Sequence, residues 1–455
     1  MAEIDLDADR RGLCRVAAEE LIGQGSRVRG AIAGIPRRER LLLGIAMGVG
    51  LAAVVVYVLT TRDHGLAGDE RDYDVYGSFF ADGKLWWGTT PFEIPHPSAW
   101  KAPGYPAWVG FWYSLLGESP LRLALVQSLL APLTVAGTWA LARRLFDPRV
   151  AIVSAFVVAL FPLNFEYYGL LFPEALAVPL TLAVLLLFLG RPPSTRLAVG
   201  VGALLGISLL VRPTAFFLLA GAAAAWIVAA GWRRGAALTI LAAAVAALLV
   251  APWTIRNTLT DEVGFVPISV QDAAAYGTFN DESANDPDRP YSWRATPAGL
   301  ERRVDLSQKT KESELRSELQ DAALDYVKDH PASVPKAIFW NGFTRFWDVR
   351  SPGQALDEVE FQGRSRAVRG IGLAMYYVLL VLALVGLWRI RDRREIVIPV
   401  LAMAVVATLA FTIVSGTRYR APLEPVIVIL ASSLVASRAT SPSRPPATPA
   451  PVPRG

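Results

Sequence analysis

Acidic and basic side chains stand beside apolar stretches at widely separated points of this 455-residue sequence. Residues 68–74 carry five charges directly after the first long apolar stretch, and Glu174 follows a proline at the start of another. A carboxylate can accept the proton of an attacking hydroxyl, and Lys or Arg can hold a phosphate group. Lys101 and Arg212 also lie at the edges of apolar stretches. If these residues share one face of the molecule, the chemistry they suit is group transfer from a phosphate-linked substrate.

The composition defines the elements that must position these residues. Hydrophobic residues make up 53% of the chain and charged residues 19%, below the quarter that is usual for soluble domains. This balance excludes a soluble enzyme, a disordered chain and a secreted domain built on disulfides. The single Cys14 forms no internal disulfide, and three dispersed histidines argue against a histidine-rich metal site. No Walker loop is present, which argues against a nucleotide-driven machine.

The apolar residues fall into blocks of about 15–22, a length typical of transmembrane helices. The sequence therefore predicts an all-α polytopic membrane protein with about ten transmembrane helices. The segment 104–116 is too short and too aromatic for an eleventh, so we expect an interfacial helix there. The predicted spans are 41–60, 122–142, 151–165, 174–190, 197–211, 214–231, 236–253, 371–388, 396–415 and 421–436.

Basic residues predict the orientation, because Lys and Arg are enriched in cytoplasmic loops. The tail 1–40 carries eight arginines, and alternate loops of a ten-span topology carry the other clusters, at 143–149, 191–196, 233–234 and 389–394. This pattern favours a plasma-membrane protein with both termini in the cytoplasm. The first apolar stretch has no small-residue cleavage site after it, so we expect it to remain as an anchor.

The expected domain organisation follows from these spans. A basic cytoplasmic tail, 1–40, precedes a transmembrane core, 41–253, whose first outer loop, 61–104, holds the candidate catalytic acids. Residues 254–370 should form a small extracytoplasmic domain with juxtamembrane helices, including a helix through Leu315, Leu319, Ala323 and Val327. Residues 371–437 hold the last three spans, and the proline-rich tail 438–455 is expected to be disordered and cytoplasmic.

Some cations oppose the orientation rule, and they point to a ligand. Their positions on the predicted outer side, several at span ends, suit an anionic partner at the level of the lipid headgroups. These cations are Lys84, Lys101, Arg212, Arg256, Arg418 and Arg420. Together with the acids on the same face, they are suited to transfer from a lipid-phosphate donor.

Ordered motifs across nearly the whole chain resemble one enzyme family. In chain order they are Asp69-Glu70-Arg71-Asp72-Tyr73, Lys101-Ala102-Pro103-Gly104-Tyr105-Pro106, Leu171-Phe172-Pro173-Glu174, Leu210-Val211-Arg212-Pro213, Pro252-Trp253-Thr254-Ile255-Arg256-Asn257 and Arg418-Tyr419-Arg420-Ala421-Pro422. The sequence resembles the C-type, polyprenyl-phosphate-sugar-dependent glycosyltransferases, in particular the protein O-mannosyltransferase and aminoarabinose-transferase superfamily (glycosyltransferase family 39-like). Ala102 departs from the family pattern, which commonly has a proline there.

The resemblance implies a function and a set of roles. The protein would move a sugar, hexosyl or pentosyl, to an acceptor hydroxyl on a glycan, lipid or protein, with inversion. Asp69 would be the general base, Glu70 its support, and Glu174 a second acid that binds the acceptor or a divalent ion. Lys101 would face the donor phosphate. The further candidates for phosphate binding are Arg256, Arg418, Arg420 and Arg212, although Arg212 would instead brace the lipid tunnel or pair with an acid.

Further details stay open at the level of sequence. Tyr73 and Tyr105 belong to the motifs and would shape the substrate loop. No cofactor is certain, but Asp69 and Glu174 are compatible with Mg²⁺ or Mn²⁺ without requiring either ion. Alternative functions are a transporter or flippase for lipid-linked sugars, a glycan ligase or polymerase, and a catalytically inactive scaffold. No nucleic-acid partner is expected, because the positive charge follows the membrane topology.

Overall fold

The computed structural model describes residues 34–90, 94–270, 275–294, 311–358, 364–414 and 416–436, and it is almost entirely helical there. The predicted basic tail, apart from its last residues, and the proline-rich tail lie outside the described residues. The α-helices are α1 Arg37–Thr60, α2 Asp69–Ala81, α3 Gly104–Leu116, α4 Pro120–Ser128, α5 Ala131–Leu145, α6 Pro148–Ala159, α7 Pro162–Gly169, α8 Glu174–Phe188, α9 Thr195–Val211, α10 Phe217–Ala230, α11 Trp232–Leu259, α12 Ala275–Thr278, α13 Asp281–Ala284, α14 Glu312–Asp329, α15 Ser333–Ala337, α16 Pro352–Asp357, α17 Arg366–Arg389, α18 Arg394–Ala410 and α19 Glu424–Ser432.

Short elements complete the described structure. Two-residue strands, β1 Trp87–Gly88 and β2 His96–Pro97, pair antiparallel. A π-helix covers Ile338–Arg345, and 3₁₀ turns cover Pro213–Phe216, Thr417–Leu423 and Ser433–Val435.

Five helical stretches within the described residues are long and apolar enough to cross a membrane. They are Arg37–Thr60, Pro120–Leu145, Pro213–Ala230, Trp232–Leu259 and Arg366–Arg389. The bent pair α6 and α7 makes a sixth if it is counted as one span, and α8 and α9 are shorter apolar helices. Large apolar side chains such as Ile240, Leu248 and Val381 are exposed on these stretches, as expected where lipid replaces water. The described residues therefore form a polytopic helical protein, although ten full-length spans are not seen.

Prolines account for the interruptions. The 57° bend between α6 and α7 falls at Phe161, which is extended because Pro162 follows it. The same effect ends α9 at Arg212, where the backbone is extended before Pro213. Each break therefore places polar side chains next to the ends of apolar helices.

The last predicted span, 421–436, differs from a lipid-facing helix. Its α-helical part, α19, has only nine residues, and all of them are buried. It packs against α17 and α6. An apolar run of this length is more typical of a buried core helix than of a full span.

Two packing regions position the site. The main core joins α5 to α11 with α17, α18 and α19 around residues such as Trp226, Phe188 and Tyr376. A second cluster packs the loop residue Ala99 against Trp253 and against helix α14. Helix α14 runs through Leu315, Leu319, Ala323 and Val327, as the apolar spacing predicts, and ends at Asp329. The first loop is therefore fixed between the core and the segment that follows α11.

Candidate functional site

Helix α2 begins at the residue that organises the site. Gly68 has a φ of 53°, a conformation that glycine adopts without strain, and it turns the chain into the helix. Asp69 is the first helical residue, with Asp72 one turn later on the same side. Carboxylates in a first helical turn are stabilised by the exposed backbone N–H groups there. The loop thus presents two acids where α2 starts.

Each carboxylate oxygen of Asp69 pairs with a different cation. Lys101 Nζ lies 2.7 Å from Oδ1, and Arg418 Nη2 donates to Oδ2. Lys101 also pairs with Asp72 at 3.1 Å, and its side chain is only 3% exposed. Burial opposes ionisation of Asp69, but Lys101 and Arg418 outweigh it and hold the pKa of Asp69 well below its usual range. The pKa of Lys101 is raised, because its acidic partners outweigh the effect of burial.

Arg418 connects Asp69 with the second predicted acid. Glu174 is the first residue of α8 and is fully buried, and its Oε1 accepts from Arg212 at 2.6 Å. Arg418 Nε lies 4.0 Å from the same oxygen. The guanidinium of Arg418 stacks over Phe172 at 4.2 Å. The structure therefore brings Asp69, Glu174, Arg212 and Arg418 into one cluster, which Lys101 completes; we call these five residues the charge cluster.

The charge cluster contains hydrogen-bonding atoms without partners among the described residues. They are Nε and Nη1 of Arg418, Nε of Arg212 and Oε2 of Glu174, all buried. Buried polar atoms are nearly always hydrogen-bonded, so unpaired donors on two adjacent guanidinium groups indicate a place for an additional acceptor. An anionic oxygen is the acceptor that guanidinium groups bind best.

An apolar cavity adjoins Arg212. Its walls include Ala177, Ala215, Phe217 and Pro422, together with three hydroxyl side chains. It lies between α8, α9 and the 3₁₀ turn before α19. The cavity therefore joins a cationic end to an apolar wall.

The two tyrosines of the motifs pack beside the charge cluster. The ring of Tyr73 lies 5.3 Å from Lys101 Nζ and packs edge-to-face against Tyr105. Tyr105 OH donates to Gln127 at 2.7 Å. Both rings are buried, so they fix the loop around Lys101.

Three predicted site residues lie outside the charge cluster. Glu70 pairs with Arg364 at 3.1 Å and accepts from the backbone N–H of Leu171 at 3.0 Å. Arg420 is fully buried and pairs with Asp348 at 2.8 Å and with Glu424 at 3.3 Å. Arg256 donates to the Ser98 carbonyl and stacks against Trp253 and Trp86.

Within the described residues, the contacts of these three side chains join separate elements of the fold. Arg420 joins the 3₁₀ turn to the region after the π-helix, and Arg256 joins α11 to the first loop. Sequence reasoning also missed two partners in this region. Asp72 was detectable from its spacing of three residues after Asp69, whereas nothing in the sequence singles out Arg364 as the partner of Glu70.

The residues do not form a ready site for a divalent ion. Within the described ranges, no three His, Cys, Asp or Glu side chains come together in a way that could hold a metal. Asp69 and Glu174 both contact Arg418, so an ion bridging the two carboxylates would have to displace this guanidinium. No step below depends on a metal.

Comparison with known families supports the motif analysis. Residues 97–255 match the family model described as Dolichyl-phosphate-mannose-protein mannosyltransferase. This match covers about a third of the chain and includes Lys101, Glu174 and Arg212, but neither Asp69 nor Arg418. A search of curated protein sequences gave no significant match.

Several solved structures are similar to this chain. The archaeal oligosaccharyltransferase AglB from Archaeoglobus fulgidus, in complex with an inhibitory peptide and a dolichol-phosphate, matches at a TM-score of 0.52 and 16% identity, over 87% of this chain and 50% of that one. The same enzyme tethered to an acceptor peptide matches at 0.52 and 17%, over 87% and 49%. ArnT from Cupriavidus metallidurans bound to undecaprenyl phosphate matches at 0.39 and 17%, over 87% and 77%.

This chain spans about half the length of the oligosaccharyltransferase that it matches. The match shows a shared fold, and the described structure, mostly helical with at least five candidate membrane spans, is that of a polytopic membrane protein. The resemblance to polyprenyl-phosphate-dependent glycosyltransferases, indicated by the motifs, is thereby confirmed.

Proposed function

We propose that this protein transfers a sugar from a polyprenyl-phosphate donor to an acceptor hydroxyl at the extracytoplasmic face of the membrane. The observation that carries the proposal is the position of Arg418, which contacts Asp69 and Glu174 and keeps two buried N–H groups without partners in the described part of the chain. The donor phosphate accepts from these groups and from Lys101.

The reaction requires one base and a stabilised leaving group. The acceptor oxygen attacks the anomeric carbon from the side opposite the phosphate, so a carbon–oxygen bond forms with inversion. The bond between the anomeric carbon and the phosphate oxygen breaks, and its electron pair leaves with the polyprenyl phosphate. Asp69 takes the proton of the acceptor hydroxyl, while Lys101 and Arg418 stabilise the charge on the departing phosphate.

The low pKa of Asp69 affects the order of these events. With Lys101 and Arg418 both paired to it, Asp69 is a weak base. A donor phosphate competes for the same two cations, so the pKa of Asp69 rises once the donor is bound. The base therefore becomes effective when a leaving group is in place.

The charges at the site fit this competition. The three carboxylates of Asp69, Asp72 and Glu174 balance the three cations Lys101, Arg212 and Arg418. A phosphate that accepts from the N–H groups of Arg418 without partners among the described residues then adds negative charge to a neutral set of six residues, which weakens the pairing of Asp69 with its two cations. The expected sidedness rests on the distribution of Lys and Arg along the loops.

The test is transfer by the purified protein from a panel of polyprenyl-phosphate sugars, measured as release of free polyprenyl phosphate. Lys101→Ala should raise the donor KM at least tenfold, because one charged hydrogen bond to the phosphate contributes about 1.5–3 kcal/mol. Lys84→Ala is the matched control, since Lys84 lies on the same loop but is exposed and contacts only aromatic rings among the described residues. Equal donor KM values for both variants would contradict the phosphate site.

A further inference from the structure

Glu70 lies next to Asp69 in sequence but faces a different part of the protein. Residues adjacent on an α-helix point about 100° apart, so the two carboxylates cannot share one set of partners. Glu70 is 2% exposed, and its Oε1 accepts from Arg364 and from the Leu171 backbone. One oxygen therefore joins three separate segments of the chain.

Two of these three segments lead to the charge cluster. Glu70 is fixed one residue after Asp69. Leu171 leads through Phe172, which packs under Arg418, to Glu174. Any shift of Glu70 therefore changes the separation between the Asp69 carboxylate and the Glu174 side of the site.

Arg364 determines where the carboxylate of Glu70 can lie. It immediately precedes Ser365, the capping residue of helix α17, and its side chain is only 4% exposed. Glu70 is the one carboxylate that it contacts among the described residues. A buried ion pair fixes the relative position of its two side chains at a substantial desolvation cost, and this pair fixes the residue next to Asp69.

We infer that Arg364 is a positioning residue of the transfer reaction, acting through Glu70 to hold Asp69 at the distance and angle that proton transfer needs. The inference rests on the proposed function. Glu70 then has no direct part in the chemistry. The pair instead connects the start of α17 with the first loop, across 294 positions of sequence.

The experiment compares Arg364→Ala, Arg364→Lys and Arg366→Ala in the same donor-to-acceptor assay. Misplacement of a reacting group by about 1 Å can cost about 10²-fold in rate, so Arg364→Ala should lower kcat by about that factor. The donor KM should stay within threefold, because Lys101 and Arg418 are unchanged. Arg364→Lys should recover at least tenfold, since it keeps a charged donor.

Arg366→Ala is the matched control. Arg366 is two residues away and is also ion-paired, to Asp357, but its side chain is 60% exposed. The kcat of Arg366→Ala should equal that of the wild type. If Arg364→Ala does not accumulate as folded protein, Arg364→Gln keeps one N–H donor to Glu70 and should lower kcat about tenfold.

A kcat within twofold of the wild type, per folded molecule, in Arg364→Ala or Arg364→Gln would overturn the inference. A rise of about 10²-fold in the donor KM of Arg364→Ala, without loss of kcat, would also overturn the inference, because that result places Arg364 at the donor phosphate. Asp69→Asn in parallel separates the two hypotheses. Turnover retained by Asp69→Asn refutes the proposed function itself, whereas an inactive Asp69→Asn beside a normal Arg364→Ala refutes only the positional role.

Discussion

Replacing Asp69 by asparagine should separate binding of the donor from transfer. The side chain keeps its size and one oxygen, but loses the negative charge that pairs with Lys101 and Arg418. If a donor phosphate competes with this carboxylate, the neutral variant should bind the phosphate more tightly than the wild type. A mere loss of site structure would have the opposite effect.

The structure allows the size of the change in donor affinity to be worked out. A charge-assisted hydrogen bond contributes about 1.5–3 kcal/mol, and the Asp69 side chain is 29% exposed, so water screens part of this competition. We take about 1.4 kcal/mol, which corresponds to a tenfold lower Kd for the donor phosphate. Loss of the general base should lower transfer by about 10²–10⁴-fold.

The variant should still fold. A carboxyl group with a lowered pKa stabilises the native state above its usual pKa, and this contribution disappears as the pH falls through the lowered value. Asp69→Asn therefore loses some stability at neutral pH. Lys101 nevertheless retains Asp72 at 3.1 Å, and Arg418 retains Glu174 at 4.0 Å, so neither cation is left without an acid nearby.

The assay is a titration of the purified variants with undecaprenyl phosphate, followed by thermal stabilisation, alongside the transfer assay. Asp82→Asn is the control, because Asp82 caps the other end of α2 and is exposed. Binding of the phosphate to folded Asp69→Asn that is equal to or weaker than its binding to the wild type would refute the competition on which the donor-dependent base rests.

Two further predictions concern residues outside the charge cluster. Arg420→Met should lower the free energy of unfolding by about 3–5 kcal/mol, because the buried Glu424 carboxylate loses its ion-pair partner, while Asp348 keeps Arg350. The donor KM of the folded fraction, measured by the transfer assay, should stay within twofold, and a tenfold rise would return Arg420 to the phosphate site. His96 is buried, which disfavours its charged form, but Glu312 and the Ile94 carbonyl outweigh this effect and raise its pKa. A histidine with a raised pKa contributes stability below its unfolded pKa of about 6.5, and this contribution is lost as the pH rises through its higher pKa in the native state. The melting temperature of the wild type should therefore fall over that pH range, whereas that of His96→Gln should stay flat. Parallel curves for the two proteins would contradict a charged His96.

The helical segments could be predicted from the sequence because composition alone distinguishes them. Each of the ten predicted spans contains helix in the structure, and the short aromatic segment before Leu116 is helix α3. The lengths of these helices could not be predicted, since hydropathy does not show whether an apolar segment packs against lipid or against other helices of the protein. Helix α19 shows this, because its nine residues are as apolar as a span yet all buried.

The charge cluster was partly predictable. Asp69, Glu174 and Lys101 were singled out by charge at the ends of apolar stretches, and the structure brings them together. The motif around Arg418 and Arg420 was less informative. In a 3₁₀ turn with about three residues per turn, positions two apart face different directions, so only Arg418 reaches Asp69. Sequence spacing without the local backbone geometry cannot distinguish these two arginines.

The pairing of Asp69 with Arg418 has a consequence for biosynthesis, because 349 positions separate the two residues. At about 5–20 residues per second, a ribosome needs roughly 20–70 s to travel between them. Lys101, 32 positions after Asp69, is available much earlier. During translation one oxygen of the carboxylate thus has a local partner, and the second cation arrives only when nearly all the hydrophobic segments have emerged. A nascent chain interrupted before Arg418 would leave Oδ2 of Asp69 without its arginine partner.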